Sequence, residues 1–349
     1  MSANLQSLAP IVYNATDTEY SERLKGGIVT GLSLMLELDI TATGGGTVTG
    51  LTPYAPAQVL STNFWRLVRG GKPIVQVRPE DLYHMSSLYE KYNKTLTQAT
   101  PGSSATAGAK MAITVPIKDP RYPWGDEYWL DARQQLLVEG NWGVLADYAS
   151  TNMATIAGSQ LLLKELGGIN SSGNQGELRM FTVPKTITED TQELVLEPIP
   201  IPDTALWRGL LIRQRDVSAA GSAEYVDGLV KSMSLKLVSD FGEFEIGVDR
   251  KVSTAELRER TIEYLGIDDG DLPNGLYLIP FDDPNGWHEL RFIEKGASLE
   301  ITLDMVSAPP AHITDVTPQV NVDNLLFTFL GYAPNAPLAD VVTAAMRTA

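Results

Sequence analysis

The chain has 349 residues, with 27 Lys+Arg against 43 Asp+Glu for a net charge of −16, three histidines and no cysteine. At roughly 100–200 residues per domain the length favours two domains, and it is long enough to build a core without a disulfide or metal staple. The lack of cysteine excludes disulfides, thiol nucleophiles, thiolate zinc and iron–sulfur sites. The acidic balance argues against a phosphate-tracking surface and against docking by charge on an anionic bilayer.

Taken in chain order, the first residues, Met1-Ser2-Ala3-Asn4-Leu5-Gln6, carry no basic patch and lead into no apolar run of secretory length. That implies synthesis inside a cell. Residues 1–25 have weak strand patterning and read as an N-terminal arm. Leu32, Leu34, Leu36, Leu38 and Ile40 then alternate with Ser33, Met35, Glu37, Asp39 and Thr41, the period of a strand with one buried face. Gly44-Gly45-Gly46 turns the chain. Leu82, Met85, Tyr89, Tyr92 and Leu96 recur at helical spacing behind Pro79, with Glu80 and Asp81 at the positive end of the helix dipole. Gly167 to Gly176 is linker-like, rich in Gly, Ser and Asn.

The second half repeats this organisation. Met233, Leu235 and Leu237 alternate with serine and lysine, Asp240-Phe241-Gly242 turns, and Phe244, Ile246 and Val248 alternate again, as in an antiparallel hairpin. Ser253-Thr254-Ala255-Glu256 has capping-box spacing and opens a helix to Leu265, with Leu257, Tyr264 and Leu265 on its apolar face and Gly266 as its stop. Leu299, Ile301, Leu303 and Met305 form another alternating strand. Residues 113–120 (Ile-Thr-Val-Pro-Ile-Lys-Asp-Pro) align with 277–284 (Tyr-Leu-Ile-Pro-Phe-Asp-Asp-Pro), and at the same offset Leu161, Leu162 and Gly167 fall on Leu325, Leu326 and Gly331. A chance coincidence of strand-and-turn punctuation is the competing explanation. The pattern predicts an all-β fold of two tandem eight-stranded jelly rolls, each with a helix inserted midway between about four strands and four. Its expected parts are an arm at 1–25, a first roll at 26–168, a linker at 169–176, a second roll at 177–333 and a C-terminal arm at 334–349. Within that last arm, Ala339–Met346 is expected to form a short helix.

Chemistry is sparse. A two-cupin metal enzyme needs a His-x-His pair with further ligands, whereas His84, His288 and His312 stand apart. Glu80 and His84 share a helix face, more in the manner of a surface ion pair than of a metal site. His288-Glu289 starts like a zincin helix, but Phe292 stands where the second histidine belongs. No nucleophile elbow or Walker loop occurs, and Gly44–Gly46 and Gly70-Gly71 read as hairpin turns. Asp268, Asp269 and Asp271, with Asp282 and Asp283, are turn formers with the oxygen chemistry of calcium ligands. Tyr122-Pro123-Trp124-Gly125-Asp126-Glu127-Tyr128-Trp129 is the richest aromatic stretch, open to three readings: core packing, an oligomer contact or a sugar platform. No catalytic, cofactor or metal residue is assigned.

Gly27-Ile28-Val29-Thr30-Gly31 with its long alternating strand, then Leu51-Thr52-Pro53-Tyr54-Ala55-Pro56-Ala57 and a helix, resembles the double jelly-roll major capsid proteins of tectivirus-like, tailless icosahedral bacteriophages with an internal membrane. Leu272-Pro273-Asn274-Gly275-Leu276-Tyr277 and Asn324 to Tyr332 are similar to the closing strands of that family's second roll. The resemblance implies a non-enzymatic shell protein, made in the host cytoplasm and carried in the virion. Three copies form a pseudo-hexagonal capsomer around an internal membrane and double-stranded DNA. Its partners would be other copies of itself, neighbouring capsomers, penton and minor capsid or membrane proteins. Contact with the internal membrane would be peripheral, with no direct contact to nucleic acid. The competing classes are a glycan-binding or glycan-acting β-sandwich and a trimeric spike or penton protein.

Overall fold

The computed structural model describes residues 4–25, 27–42, 55–90, 95–98, 106–116, 130–131, 135–143, 153–155, 158–167, 176–185, 193–195, 199–200, 206–216, 224–225, 227, 230–239, 242–245, 251–280, 298–305 and 325–334. Two compact units divide the chain between Met180 and Phe181 and again between Ala333 and Pro334, the first unit including Pro334.

The first unit contains β1 (Asn4–Ser7), β2 (Ile11–Val12), β3 (Glu19–Arg23), β4 (Ile28–Ala42), β5 (Trp65–Arg69), β6 (Lys72–Val77), α1 (Pro79–Glu90), β7 (Thr95–Gln98), β8 (Thr106–Pro116), β9 (Leu130–Asp131), β10 (Leu136–Asn141), β11 (Met153–Thr155) and β12 (Gln160–Gly167). A 3-10 turn at Ala55–Leu60 precedes β5. One sheet runs β1-β12-β4-β8 with β7 outside β8, and the other runs β3-β10-β5-β6. Consecutive principal strands therefore change sheet at every step except the hairpin β5–β6. That is jelly-roll order.

The predicted alternation on β4 holds. Leu32, Leu34, Leu36, Leu38 and Ile40 are all buried, and Ala109, Met111, Ile113 and Val115 of β8 with Leu161 and Leu163 of β12 extend the same face. Each such aliphatic contributes about 2 kcal/mol of burial. The β5–β6 turn is Gly70-Gly71, with φ of 54° and 81°, the double positive φ that a two-residue type I′ hairpin demands.

The second unit contains β13 (Gly176–Lys185, crossing the boundary), β14 (Glu193–Val195), β15 (Ile199–Pro200), β16 (Leu206–Asp216), β17 (Glu224–Tyr225), β18 (Val230–Ser239), β19 (Gly242–Glu245), β20 (Val252–Ser253), α2 (Thr254–Leu265), β21 (Leu276–Pro280), β22 (Ser298–Met305) and β23 (Leu325–Pro334). Its sheets run β13-β23-β16-β21 and β14-β22-β18-β19. This is the same permutation as in the first unit. The repeated phrase at 113–120 and 277–284 begins on the sixth strand of each roll, and the leucine pairs fall on each eighth strand.

Three expectations need correction. Residues 4–25 are not an arm. Asn4–Ser7 pair with β12 and Glu19–Arg23 with β10, so they supply the first two strands of the roll. Their signal is weak because these edge strands are short and anchored by scattered residues, Leu8, Tyr13, Tyr20 and Leu24, that are buried. Each helix follows five principal strands and precedes three, rather than four and four. Finally, α1 ends at Glu90, and Leu96 belongs to β7, where Thr95 and Thr97 favour the sheet over the helix. Residues 168–175 and 335–349, which include the expected C-terminal helix, lie outside the described residues.

Candidate functional site

Of the sequence candidates, His288, His312, Asp282, Asp283, Gly44–Gly46 and the aromatic stretch Tyr122–Trp129 lie outside the described residues. Glu80 and His84 are not a surface pair. Both are buried on α1, where Glu80 Oε1 accepts a hydrogen bond of 2.7 Å from Gln58 Nε2 and the Tyr83 ring sits edge-on to the imidazole at 5.5 Å. Periodicity sent these polar groups to solvent, but a partner 22 residues away in the chain brings them in. Asp268, Asp269 and Asp271 are exposed around a 3-10 turn, and Asp269 is held by the Arg258 Nε at 2.7 Å. Among the described residues no three His, Asp or Glu converge as a metal site.

What the first roll does present is a polar recess of about 570 Å³ at one end of the β3-β10-β5 sheet, lined by Asp17, Glu19, Ser61, Arg66, Glu139 and Asn141 among others. Register explains the grouping. Glu139 lies opposite Ser21 on one side and Arg66 on the other, and Asn141 lies opposite Glu19. Ser61 is not a nucleophile in waiting: its Oγ donates to the Phe64 carbonyl and accepts from the amides of Asn63 and Asn141.

The floor of this end is aromatic. Trp142 packs on Tyr20 at 4.9 Å and on Tyr13 at 5.5 Å between ring centroids. Tyr20 donates its hydroxyl to the Leu60 carbonyl at 2.8 Å, and burial pushes its ionisation far above that of a free tyrosine. Two glycines make the fit possible. A Cβ at Gly140 would land on the Tyr20 ring, and one at Gly143 on the Gln58 carbonyl oxygen.

The opposite end of the same sheet gathers several cations, with Glu22 and Glu165 among them. Arg23 faces Leu137 across the ladder, Arg69 faces Leu136, and Arg69 and Lys72 flank the glycine turn. Lys25 is in the adjoining loop. Backbone bonds gather these segments: Leu24 N to Leu136 O at 3.0 Å, Gly70 N to Gln135 O at 3.4 Å, and Lys25 N to the buried Glu165 Oε1 at 2.6 Å. Sequence reading by total charge missed this end. The available signal was residues 65–78, which hold Arg66, Arg69, Lys72 and Arg78 and no acidic residue.

Among the described residues of the second roll, a dense polar cluster is structural. Arg258 of α2 donates to Asp269 Oδ1 (2.7 Å) and to the carbonyls of Asp269 (3.0 Å), Leu272 (2.9 Å) and Pro273 (3.2 Å). Asp227 Oδ1 accepts from Gly275 N and Tyr277 Oη, both at 2.7 Å. Together they pin the loop that leads from α2 into β21.

No protein family and no curated protein matches the sequence. Solved structures match over nearly the whole length of both partners. The crystal structure of the STIV MCP aligns with a TM-score of 0.70 at 13% identity, covering 99% of this chain and 100% of that one. The atomic structure of Sulfolobus Turreted Icosahedral Virus gives 0.71 at 12%, covering 99% and 97%. The fold is a double jelly roll. The double jelly-roll major capsid protein of Bacteriophage PM2 aligns at 0.50 and 12% identity, covering 96% and 98%.

Proposed function

We propose that this double jelly-roll chain is a viral major capsid protein, assembling as a homotrimer whose six rolls form a pseudo-hexagonal block that tiles an icosahedral shell around an internal membrane and double-stranded DNA. The observation that carries the reading is the duplication itself. Two consecutive rolls share one strand permutation, with a helix after the fifth strand of each, and virus shell structures share the fold from end to end.

The mechanism is geometric. A chain carrying two equivalent wedges lets a closed threefold ring imitate a hexagon, and closure prevents open-ended fibres. Roll flanks bury area against neighbouring copies, on the order of 1,600 Å² per stable contact. The protein acts by packing, not by catalysis. Its partners are other copies, penton and minor capsid or membrane proteins. It is made in the host cytoplasm and resides in the virion.

Native mass measurement with end-on electron microscopy of the purified protein tests this. Three chains with six lobes are expected. A stable monomer or dimer, or a trimer without six lobes, would overturn the assignment.

A further inference from the structure

We propose that the polar recess of the first roll binds a neutral pyranose, gripping neighbouring ring hydroxyls between Arg66 and Glu139. The proposal goes beyond the shell reading and does not depend on it.

Arg66 of β5 and Glu139 of β10 lie directly opposite each other on the ladder, so their side chains share one face of the sheet. Opposite charges in that register are well placed to pair. Among the described residues, however, neither side chain has a hydrogen-bond or ion-pair partner, and the same is true of Asp17, Glu19 and Asn141 in the same recess. The donors of a guanidinium and the acceptors of a carboxylate thus stand side by side with their bonding capacity unspent.

That mixture selects the ligand. Asp17, Glu19 and Glu139 disfavour an anion, and Arg66 disfavours a cation. A sugar hydroxyl carries no charge and both donates and accepts. Adjacent hydroxyls on one ring meet a guanidinium and a carboxylate together, and the Asn141 amide serves either role. Phe64 lines the same recess, half-buried and held with the Arg78 Cζ 5.2 Å from its ring centroid, and it supplies an apolar wall for the C–H groups of a pyranose. The volume of about 570 Å³ lies within the roughly 300–1,000 Å³ of small-molecule sites.

The walls are fixed in advance. Ser61 Oγ accepts from the amides of Asn63 and Asn141, and Thr62 N bonds the Asn141 carbonyl at 2.8 Å. Trp142 N bonds the Thr18 carbonyl at 2.8 Å, and Asn14 Oδ1 accepts from the amides of Thr16 and Asp17 at 3.0 and 3.2 Å. The three chain segments that carry the lining are therefore tied to one another, and little ordering remains when a ligand enters.

The test is saturation-transfer NMR on the full-length protein. The probes are the methyl glycosides of glucose, galactose and mannose, with cadaverine as a cationic arm and sialyllactose as an anionic one. Binding of at least one neutral glycoside is expected, and high salt should change it little, because the ligand carries no charge to screen. Arg66→Ala and Glu139→Ala should each weaken it about tenfold or more. Arg66→Lys keeps the charge but loses the planar fork, and should bind about as weakly as Arg66→Ala. Arg23→Ala and Glu263→Ala make the same changes in net charge at exposed positions outside the recess, and should bind like the parent. Circular dichroism confirms that each variant is folded.

The proposal is overturned if none of the glycosides binds, or if binding survives the Arg66 and Glu139 variants. It is also overturned if cadaverine or sialyllactose binds more tightly than every neutral glycoside, which would make the recess a site for ions of one sign. The shell reading is judged by chain number and lobes, so its failure and the failure of this proposal are told apart.

Discussion

The two rolls place a helix at the same station and hold it by opposite means. Every side chain described from Pro79 to Ser86 on α1 is buried, including Glu80, Asp81 and His84. Helix α2 is one-sided. Leu257, Thr261 and Leu265 are buried, while Ala255, Glu259 and Glu263 face solvent. Its ends are finished locally, with Ser253 accepting from the Glu256 amide and Gly266 in the left-handed conformation at φ 59° bonding back to Ile262. One topology thus tolerates a helix enclosed by distant partners and a helix that is self-capped and clamped to its own loop. The permutation of strands is the shared instruction, and the side-chain chemistry is free to differ.

The sharpest way to break the comparison is to damage one roll and watch the other. Trp142→Ala removes the centre of the aromatic floor in the first roll. It should cost about 3–5 kcal/mol, read as a shift of a single transition in chemical denaturation if the rolls unfold separately. Arg258→Ala should cost about 3 kcal/mol in the other transition, since three backbone carbonyls and Asp269 lose a charged donor. Arg258→Lys should recover little of it, because an ammonium cannot reproduce the guanidinium fork. Gly143→Ala drives a methyl into the Gln58 carbonyl, and about 2 kcal/mol should be lost from the first roll by calorimetry. Ser253→Ala deletes the α2 cap for about 1 kcal/mol, whereas α1 has no serine at the corresponding position.

The smallest effect sharpens the likeness instead. Each roll carries an outward carboxylate whose ionisation is pulled below the ordinary range, first by a lysine from another segment and then by a second donor. Glu37 is held by Lys110 and Gln160, and Asp304 by Lys251 and Ser232. A folded value below the unfolded one stabilises at pH above about 4. That contribution disappears as pH falls through the depressed value. Glu37→Gln and Asp304→Asn should each lose about 0.5 kcal/mol at neutral pH and nothing in strong acid, as followed by urea titration at both pH values.

Much of the fold was legible because its longest strands obey period two without interruption. The β4 alternation, the glycine turn at Gly70-Gly71, the α2 cap at Ser253 and stop at Gly266, and the phrase on each sixth strand are all local signals. What escaped notice was non-local. The strands at Asn4–Ser7 and Glu19–Arg23 are defined by partners more than a hundred residues away. The burial of Glu80 depends on Gln58, and the cations at one end of the first roll become visible as a group only when Arg23 and Lys72 are brought onto one sheet. Composition reports none of these, because it sums over residues that folding separates.

The pairing of first strand with last strand has a consequence for how the protein is made. Asn4 meets Gly167, and β13 lies beside β23, so neither sandwich closes until its eighth strand has left the ribosome. Among the described strands the tightest hairpins are β5–β6 and β18–β19, which makes them natural nuclei in a chain otherwise of high contact order. Vectorial synthesis therefore leaves half-built sheets with open edges for seconds, and a cell producing this chain in bulk must shield them from one another.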